Sequence, residues 1–154
     1  KPDGIRRSLI GEILSRFERR GLKFVGMKMQ WVDKNFAELH YTEDISKRRG
    51  EKVRNSLIDY VKEGPVLAMV IEGIDAIEVV RQMVGGTEPK NAIPGTIRGD
   101  YCHVSYGYAD KMGIAVKNLI HASSDARDAE REIALWFSTK ELHSYKLNQE
   151  ADIL

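Results

Sequence analysis

The amino-acid sequence predicts an α+β fold in which one sheet is covered by helices. Apolar residues alternate with polar ones in one segment, run without interruption in a second, and recur at helical spacing in several others. Strand and helix segments follow one another irregularly, with pairs of helices between strands, which favours the α+β class. The chain has 154 residues with no internal repeat or low-complexity segment, so we expect one domain covering residues 1–154.

The first half of the chain contains three predicted helices and one predicted strand. Apolar residues at helical spacing predict a helix over residues 8–20, which Gly21 is placed to end. Alternation of apolar and polar residues then predicts a half-buried strand over residues 22–32. Two further helices are predicted over residues 33–41 and 51–63, and the second has its apolar residues on one face.

The second half contains two predicted strands and two predicted helices. The segment VLAMVI at residues 66–71 is continuously apolar, which is typical of a strand buried on both faces. A helix is predicted over residues 75–84, a strand over 115–120 and a last helix over 125–137. Residues 87–113, between these elements, are predicted to form a long loop region.

The chain opens with Lys1-Pro2-Asp3-Gly4, written KPDG. Proline fixes φ and Asp-Gly favours tight turns, so this segment predicts a turn. A turn needs an element before it. We therefore expect that the numbered sequence begins partway into the native chain, just after a strand.

Charge and cysteine content exclude several functional classes. The formal net charge is +1, so no overall field points to nucleic acid or to a membrane. The basic segment at residues 47–54 lacks aromatic residues for stacking and is interpreted as a solvated helix entry. No apolar run reaches the roughly 18 residues of a bilayer span, and no signal peptide is visible. The single Cys102 excludes an internal disulfide and a cysteine-based zinc site, and it fits a cytoplasmic protein.

His121 lies between an apolar run and small polar residues, in the segment NLIHASSD. Asn118 and Ser123 flank it with groups that can fix an imidazole tautomer. Glu132 falls at the edge of the apolar arc of the following helix, from where its carboxylate could point back toward His121. An imidazole held by a carboxylate suits a nucleophile or a base. The alternatives are a capping or core-edge histidine and a solvated Glu132, and periodicity alone does not decide between them.

Metal binding is the other use of histidine. None of the 4 histidines stands in an HxxxH or HxH pair. Although three of them could converge in space, spacing gives no support for a structural zinc site, and no metal ligand is assigned.

A second group of candidates surrounds the segment PGTIRGDY. Arg98 stands beside Gly99, where the backbone can approach a ligand closely, and arginine suits bidentate contacts with phosphate. Together with Arg81, Thr87 and Lys1 it would form a phosphate site if the four side chains converge. Neither GxxxxGK(S/T) nor a strand-linked GxGxxG is present, so side chains rather than a glycine-rich loop would bind the phosphates.

Several segments together resemble nucleoside diphosphate kinases. They are KPDG, GEILSRFERRGLKFVGMKM, GPVLAMVIEG, PGTIRGDY, NLIHAS and AEREIALWF, which cover nearly the whole chain in the order of that family. The combination of PGTIRGD with a downstream N-x-I-H-x-S is highly specific. The resemblance implies a ferredoxin-like βαββαβ core, an antiparallel sheet covered by helices, whose first strand ends at the lysine of KPDG.

The resemblance also implies a ping-pong reaction that moves the γ-phosphate of a nucleoside triphosphate to a nucleoside diphosphate. By motif position, His121 is the nucleophile, and Ser123 and Glu132 hold its ring. The other matched positions bind the nucleotide: Lys1 and Asn118 toward the sugar hydroxyls and phosphates, Arg81, Thr87 and Arg98 at the phosphates, His40 and Tyr41 near them, and Leu57 and Val53 at the base.

The implied cofactor is Mg²⁺, carried mainly by the nucleotide phosphates rather than by a protein cage. The implied partners are nucleoside triphosphates and diphosphates, such as ATP, GTP and ADP, and further copies of the chain in a hexamer or tetramer. No membrane partner is implied, and nucleic acid is not expected as a partner.

The sequence departs from the family pattern at several places. In HASSD, Ser124 replaces an acidic residue and Asp125 follows one position later. Val53 falls where an aromatic residue normally stacks on the base, and the segments at residues 42–56 and 103–117 are longer than usual. A second interpretation therefore stays open, a catalytically weak nucleotide-binding relative that uses the fold as an interaction module.

Overall fold

The protein is described from a computed structural model, which covers residues 1–153. Its elements in chain order are α1 (Pro2–Arg6), α2 (Ile10–Arg19), β1 (Lys23–Gln30), α3 (Lys34–His40), α4 (Glu43–Arg49), α5 (Glu51–Lys62), β2 (Val66–Glu72), α6 (Ala76–Val84), α7 (Ile97–Tyr101), α8 (Tyr106–Met112), α9 (Ala126–Trp136) and α10 (Glu150–Ile153). None of the helices in this range has the length and hydrophobicity to cross a membrane.

The sheet consists of β1 and β2, which pair antiparallel. Lys23 lies opposite Glu72 at one end and Gln30 opposite Val66 at the other, with a bulge between Phe24 and Gly26. These strands match the two predicted from alternation and from the continuous apolar run. The α+β class is confirmed, because helices pack around this sheet.

The main hydrophobic core joins α2 to β1, α6 and α7 and to the segment that precedes His121. Phe17 on α2 is fully buried and packs edge-on against Phe24 of β1, with ring centroids 6.4 Å apart. Replacing such a side chain with alanine typically costs about 3–5 kcal/mol. The buried members of this cluster are Ile13, Phe17, Leu22, Val84, Ile97, Leu119 and Ile120. Leu119 and Ile120 directly precede His121, so the core fixes the backbone beside it.

A second core cluster positions α3 and α5. Its buried residues are Val32, Ala37, Tyr41, Ile58, Val61 and Val66. Trp136 of α9 packs against this cluster and against Phe36, with ring centroids 4.6 Å apart. The contact brings the end of α9 to the end of α3, where His40 lies.

The five predicted helices are present with ends shifted by a few residues, which is usual for helix boundaries. The helix α4 was not predicted from the sequence. It is a short helix with no buried residue, so it has no apolar stripe that periodicity could reveal.

The prediction of a turn at residues 1–4 is wrong, because Pro2 begins the helix α1. Proline is favoured in the first turn of a helix, where its missing N–H has no partner to lose. The buried Asp3 then accepts a hydrogen bond from the backbone N–H of Leu119, at 3.0 Å, which anchors this helix beside the His121 segment.

The predicted strand at residues 115–120 is also wrong. No strand pairs with this segment among residues 1–153. Leu119 instead has φ of 67°, and the N–H of Ile120 bonds the carbonyl of Asn118 at 2.8 Å, which makes a strained three-residue turn. An apolar groove of about 230 Å³ lies between this segment and β2.

The backbone groups of this segment form hydrogen bonds with other parts of the chain instead of with a neighbouring strand. The carbonyl of Leu119 accepts a hydrogen bond from the main-chain nitrogen of Lys1 at 2.8 Å. The guanidinium of Arg98 donates to the carbonyls of Asn118 and Ile120. The apolar run is therefore buried as predicted, but in an irregular segment held by side chains.

The region predicted as loop, residues 87–113, contains two short α-helices and one 3₁₀ turn, Pro89–Asn91. Thr96 caps α7 by accepting from the N–H of Gly99, and Ser105 caps α8 by accepting from the N–H of Tyr108. Both caps are Ser or Thr, as helix starts prefer. These helices have few buried residues, Ile97 and Arg98 in α7 and Ala109 in α8, so hydrophobic periodicity gave no signal for them.

Candidate active site

The candidate site is a cavity of about 380 Å³ that opens beside His121. One wall comes from α5 and the loop before it, and the opposite wall comes from α8 and the residues after it. The floor is formed by the ends of α6 and α7 and by the segment that leads to His121. All the predicted site residues except Ser123 line this cavity, and Ser123 contacts the carboxylate of Glu132.

The imidazole of His121 is paired with the carboxylate of Glu132. His121 Nε2 lies 2.9 Å from both oxygens of Glu132, and the hydroxyl of Ser123 donates to the same carboxylate at 2.6 Å. Asp125 starts α9 as its N-cap, accepting from the N–H of Asp128, and so sets the position of Glu132. The arrangement is the one that helix projection suggested, and the solvated position for Glu132 is wrong.

The pairing fixes which nitrogen of His121 is free. A carboxylate only accepts hydrogen bonds, so Nε2 carries the proton and Nδ1 keeps its lone pair in the neutral ring. The side chain of His121 is 40% exposed and that of Glu132 only 10%. A nucleophilic nitrogen is therefore accessible from the cavity, and its supporting carboxylate is shielded from solvent.

The ionisation of Glu132 follows from its contacts. Burial would raise the pKa of this carboxyl, but the hydrogen bonds from His121 and Ser123 outweigh it and lower the pKa to about 2. Glu132 is therefore a carboxylate throughout the physiological range. It also receives a long contact from Arg131, at 3.4 Å.

His40 lies directly behind His121. Their ring centroids are 4.9 Å apart in an edge-to-face arrangement, and the indole N–H of Trp136 donates to His40 Nδ1 at 3.1 Å. Burial, followed by the proximity of His121, lowers the pKa of His40 to about 3, so this ring is neutral. One nitrogen or oxygen atom from each of His40, His121 and Glu132 lies within 4.8 Å of the others, a grouping that sequence spacing did not reveal.

Tyr41 follows His40 and is buried, with 5% of its surface exposed. Its ring packs edge-on against His40, with centroids 4.7 Å apart. Burial raises the pKa of Tyr41, so its phenol stays protonated. Tyr41 therefore supports His40 from the side of α3 and reaches the cavity only at its inner end.

Arg98 builds the floor of the cavity. It is 7% exposed and donates to the carbonyls of Asn118, Gly85 and Ile120, at 3.1, 2.9 and 2.6 Å. Burial lowers its pKa to about 10, which leaves it charged at neutral pH. Arginine has five N–H donors, so two remain for a ligand. Sequence reasoning assigned Arg98 only to phosphate and missed this structural role.

Lys1, Asn118 and Thr87 form a hydrogen-bonded line along the floor. Lys1 Nζ donates to Asn118 Oδ1 at 2.6 Å, and Asn118 Nδ2 donates to the carbonyl of Thr87 at 2.8 Å. Burial and the nearby charge of Arg98 lower the pKa of Lys1 to about 8. Lys1 and Asn118 therefore lie next to the backbone of Thr87, and Asn118 orients the ammonium of Lys1.

Arg81 and Thr87 lie at the rim and are exposed. Arg81 Nη1 makes a long contact, 3.4 Å, with the carbonyl of Ser123. Val53 and Leu57, both on α5, line the outer part of the cavity. The predicted residues thus form a cationic inner end at Lys1 and Arg98, with Arg81 at the rim, and an aliphatic part at Val53 and Leu57 on α5.

Sequence reasoning missed four residues that shape the site. Asp3 accepts a hydrogen bond from the backbone of Leu119, and Trp136 donates one to the ring of His40. Arg49 and Tyr106 meet at the mouth of the cavity. Two features of the sequence could have indicated these residues. One is the acidic residue of KPDG, which was interpreted only as part of a turn, and the other is the group of aromatic residues in the longer segment 103–117.

The chain is similar to known proteins over nearly its whole length. The family model described as nucleoside diphosphate kinase matches residues 1–142. A nucleoside diphosphate kinase of Borreliella burgdorferi is 50% identical over 153 residues, which are 99% of this chain and 92% of that protein. One of Pyrococcus furiosus is 51% identical over 145 residues, which are 94% of this chain and 83% of that protein.

Solved structures give the same result. A transition-state mimic of the nucleoside diphosphate kinase from Borrelia burgdorferi, with bound vanadate and ADP, has a TM-score of 0.97 and 50% identity. The match covers 99% of this chain and 91% of that one. A nucleoside diphosphate kinase from Halobacterium salinarum in complex with CDP has a TM-score of 0.85 and 40% identity, covering 100% of this chain and 93% of that one.

Proposed function

Because the chain belongs to the nucleoside diphosphate kinase family, we propose that it transfers the γ-phosphate of a nucleoside triphosphate to a nucleoside diphosphate through a phosphohistidine on His121. The observation that carries this proposal is the pairing of His121 Nε2 with the buried carboxylate of Glu132. It leaves Nδ1 unprotonated on a ring that lines the cavity and is 40% exposed, and an unprotonated, accessible nitrogen is what a nucleophile requires.

The proposed reaction has two symmetrical halves. In the first, the lone pair of His121 Nδ1 attacks the γ-phosphorus, the bond to the bridging β-phosphate oxygen breaks, and the nucleoside diphosphate leaves. In the second, a terminal oxygen of another nucleoside diphosphate attacks the phosphohistidine and releases the imidazole. Glu132 stays ionised and stabilises the positive charge that develops on the ring, and Ser123 holds Glu132.

The cationic inner end of the cavity suits the phosphates. Phosphoryl transfer depends mainly on positioning and on neutralising charge spread over the phosphate oxygens. Lys1, the two free donors of Arg98 and the exposed Arg81 would supply that charge, with Thr87 as a hydroxyl donor. Asn118 would hold the ammonium of Lys1 in place, since it already accepts from it at 2.6 Å.

The residues present fit Mg²⁺ bound mainly through phosphate oxygens and water. Magnesium in such sites uses one or two carboxylates and keeps several waters. Asp128 lines the cavity and accepts a hydrogen bond from the hydroxyl of Ser124. Asp128 is the residue that we expect to hold the hydrated ion, in place of the acidic residue that HASSD lacks at position 124. The ion would supply charge neutralisation on the β- and γ-phosphates.

The proposal includes a homo-oligomer, a tetramer or hexamer, in the cytoplasm. An apolar stripe on β1 and just after it supports the oligomer, because Met27, Met29 and Trp31 are 43%, 56% and 68% exposed. Exposed apolar patches of this kind are typical of interfaces. Light scattering coupled to size-exclusion chromatography measures the assembly directly, and a monomeric mass would contradict this part of the proposal.

Steady-state kinetics test the proposed function. Initial rates are measured with ATP as donor and GDP as acceptor, each varied at fixed levels of the other. A ping-pong route gives parallel double-reciprocal lines, and His121→Ala should lose the transfer. Nucleotide binding without turnover in the wild-type chain would favour the interaction module instead. More than about a tenth of wild-type turnover in His121→Ala, a barrier change below roughly 1.4 kcal/mol, would contradict the role of His121.

A further inference from the structure

The longer segment at residues 103–117 places one aromatic side chain in the cavity wall. Tyr106 begins α8, and its backbone N–H donates to Glu88 Oε1 at 2.8 Å. The N–H of Lys90 also donates to the carbonyl of Val104 at 3.1 Å. These two bonds tie the start of α8 to the loop that carries Thr87, so Tyr106 is held at a fixed distance from the phosphate end.

The ring of Tyr106 lines the cavity and is half-buried. The guanidinium of Arg49, at the end of α4, lies over the ring, 5.4 Å from its centroid, and a base that stacks on the same face replaces this cation–π contact. Tyr106 and Arg98 line the same cavity.

The opposite wall offers no aromatic face. It presents Val53 and Leu57, which are aliphatic. Among the described residues that line the cavity, the other phenol, Tyr41, is buried at the inner end, and the two imidazoles belong to the reacting centre. A nucleoside base needs a flat, partly exposed surface beside the phosphate site, and Tyr106 provides it.

We propose that Tyr106 is the side chain on which the nucleotide base stacks, with Val53 and Leu57 closing the other side of the slot. This inference rests on the proposed function, because it assumes that nucleotides occupy the cavity. Stacking of a base on an aromatic ring is tolerant of base identity. The slot thus binds all common nucleosides, and purines more tightly than pyrimidines because their stacking surface is larger.

Calorimetric binding of ADP and of inorganic pyrophosphate tests this assignment. Pyrophosphate has the phosphates without the base, so it reports on the cationic floor alone. Tyr106→Leu should weaken ADP binding by about 5- to 150-fold, the range for loss of one base–aromatic stack, and leave pyrophosphate binding within about twofold. Tyr106→Phe keeps the ring and should bind ADP nearly as the wild type does. The loss for CDP should be smaller than the loss for ADP.

The matched control is Tyr108→Leu, since Tyr108 is on the same helix, is 54% exposed and does not line the cavity. It should bind both ligands as the wild type does. Unchanged ADP binding in Tyr106→Leu would overturn the inference, as would an equal loss of ADP and pyrophosphate, or a loss in Tyr106→Phe as large as in Tyr106→Leu. Phosphoenzyme formation from ATP, followed in the wild-type chain, reports separately on the proposed function.

Discussion

Replacing Glu132 with glutamine removes a buried negative charge and keeps the shape of the side chain. The contacts with His121 and Ser123 hold the pKa of Glu132 at about 2, compared with an ordinary value of 4.5. A difference of this size corresponds to roughly 3 kcal/mol favouring the carboxylate, at about 1.4 kcal/mol per pH unit. Glutamine keeps one acceptor oxygen, so we expect Glu132→Gln to lower the free energy of unfolding by roughly 1–3 kcal/mol at pH 7.

The same difference should depend on pH in a defined direction. The pKa of Glu132 is lower in the folded chain than in the unfolded one, so its contribution is complete above pH 4.5. It is lost as the pH falls from 4.5 toward 2. The gap between wild type and Glu132→Gln should therefore shrink between pH 7 and pH 3.

Urea unfolding of both proteins at several pH values measures this gap. Glu130→Gln is the matched control, because Glu130 is an exposed acidic residue on the same helix and should show no such gap. The charge of Glu132 also stabilises the positive charge that develops on the His121 ring during transfer. We therefore expect kcat/KM to fall by about 10- to 150-fold in Glu132→Gln. Equal unfolding free energies at pH 7, or a gap that does not change with pH, would refute the buried charge pairing.

Three further predictions concern the rest of the site. The pKa of Lys1 is lowered to about 8, and phosphates require its charged form, so kcat/KM should fall as the pH rises through about 8; a pH–rate profile checks this, and Lys1→Arg should move the alkaline fall to higher pH. Arg98→Lys should lower the free energy of unfolding by roughly 2 kcal/mol or more, because one ammonium cannot serve the carbonyls of Gly85, Asn118 and Ile120 together; denaturant titration measures it, and unchanged stability would show that these bonds contribute little. ADP, GDP, CDP and UDP should all be phosphorylated, with kcat/KM values within about a thousandfold, since a larger ratio, roughly 4 kcal/mol, would require base hydrogen bonds.

The elements with strong periodicity could be predicted from the sequence. β1 alternates between half-buried and exposed positions, β2 is a continuous apolar run, and α9 has an apolar arc that places Glu132 correctly. In β2 and α9 side-chain burial sets the pattern, and burial is what a hydrophobic period reports. In β1 the period is present but its apolar side is uncovered in the single chain, because Met27 and Met29 are exposed while Lys28 and Gln30 are half-buried.

The predictions that were wrong concern segments whose structure depends on contacts with residues distant in sequence. Residues 115–120 are as apolar as a strand, but their backbone bonds go to Lys1, Asp3 and Arg98. Each of these partners is at least 20 residues away along the chain, so no local pattern reveals them. For the same reason Arg98 could be assigned to phosphate by residue type, while its three carbonyl partners could not be foreseen.

The candidate site could be predicted only in part from the sequence. Residue type and the family resemblance indicated which side chains to expect, and the structure brings Lys1, Asn118 and Thr87 into one hydrogen-bonded line. The position of Tyr106 could not be predicted, because α8 has no apolar periodicity and the contact of its ring with Arg49 joins two segments far apart in sequence.

The measurement that tests the account most directly is the identity of the phosphorylated atom. The wild-type chain is incubated with γ-labelled ATP and Mg²⁺ and then studied by ³¹P NMR and by acid and base treatment. We predict an acid-labile, base-stable phosphate on His121 Nδ1, since Nε2 is bound to Glu132. The label should pass to added GDP and should be absent in His121→Ala. A phosphate on Nε2, or a label that persists in His121→Ala, would contradict the account.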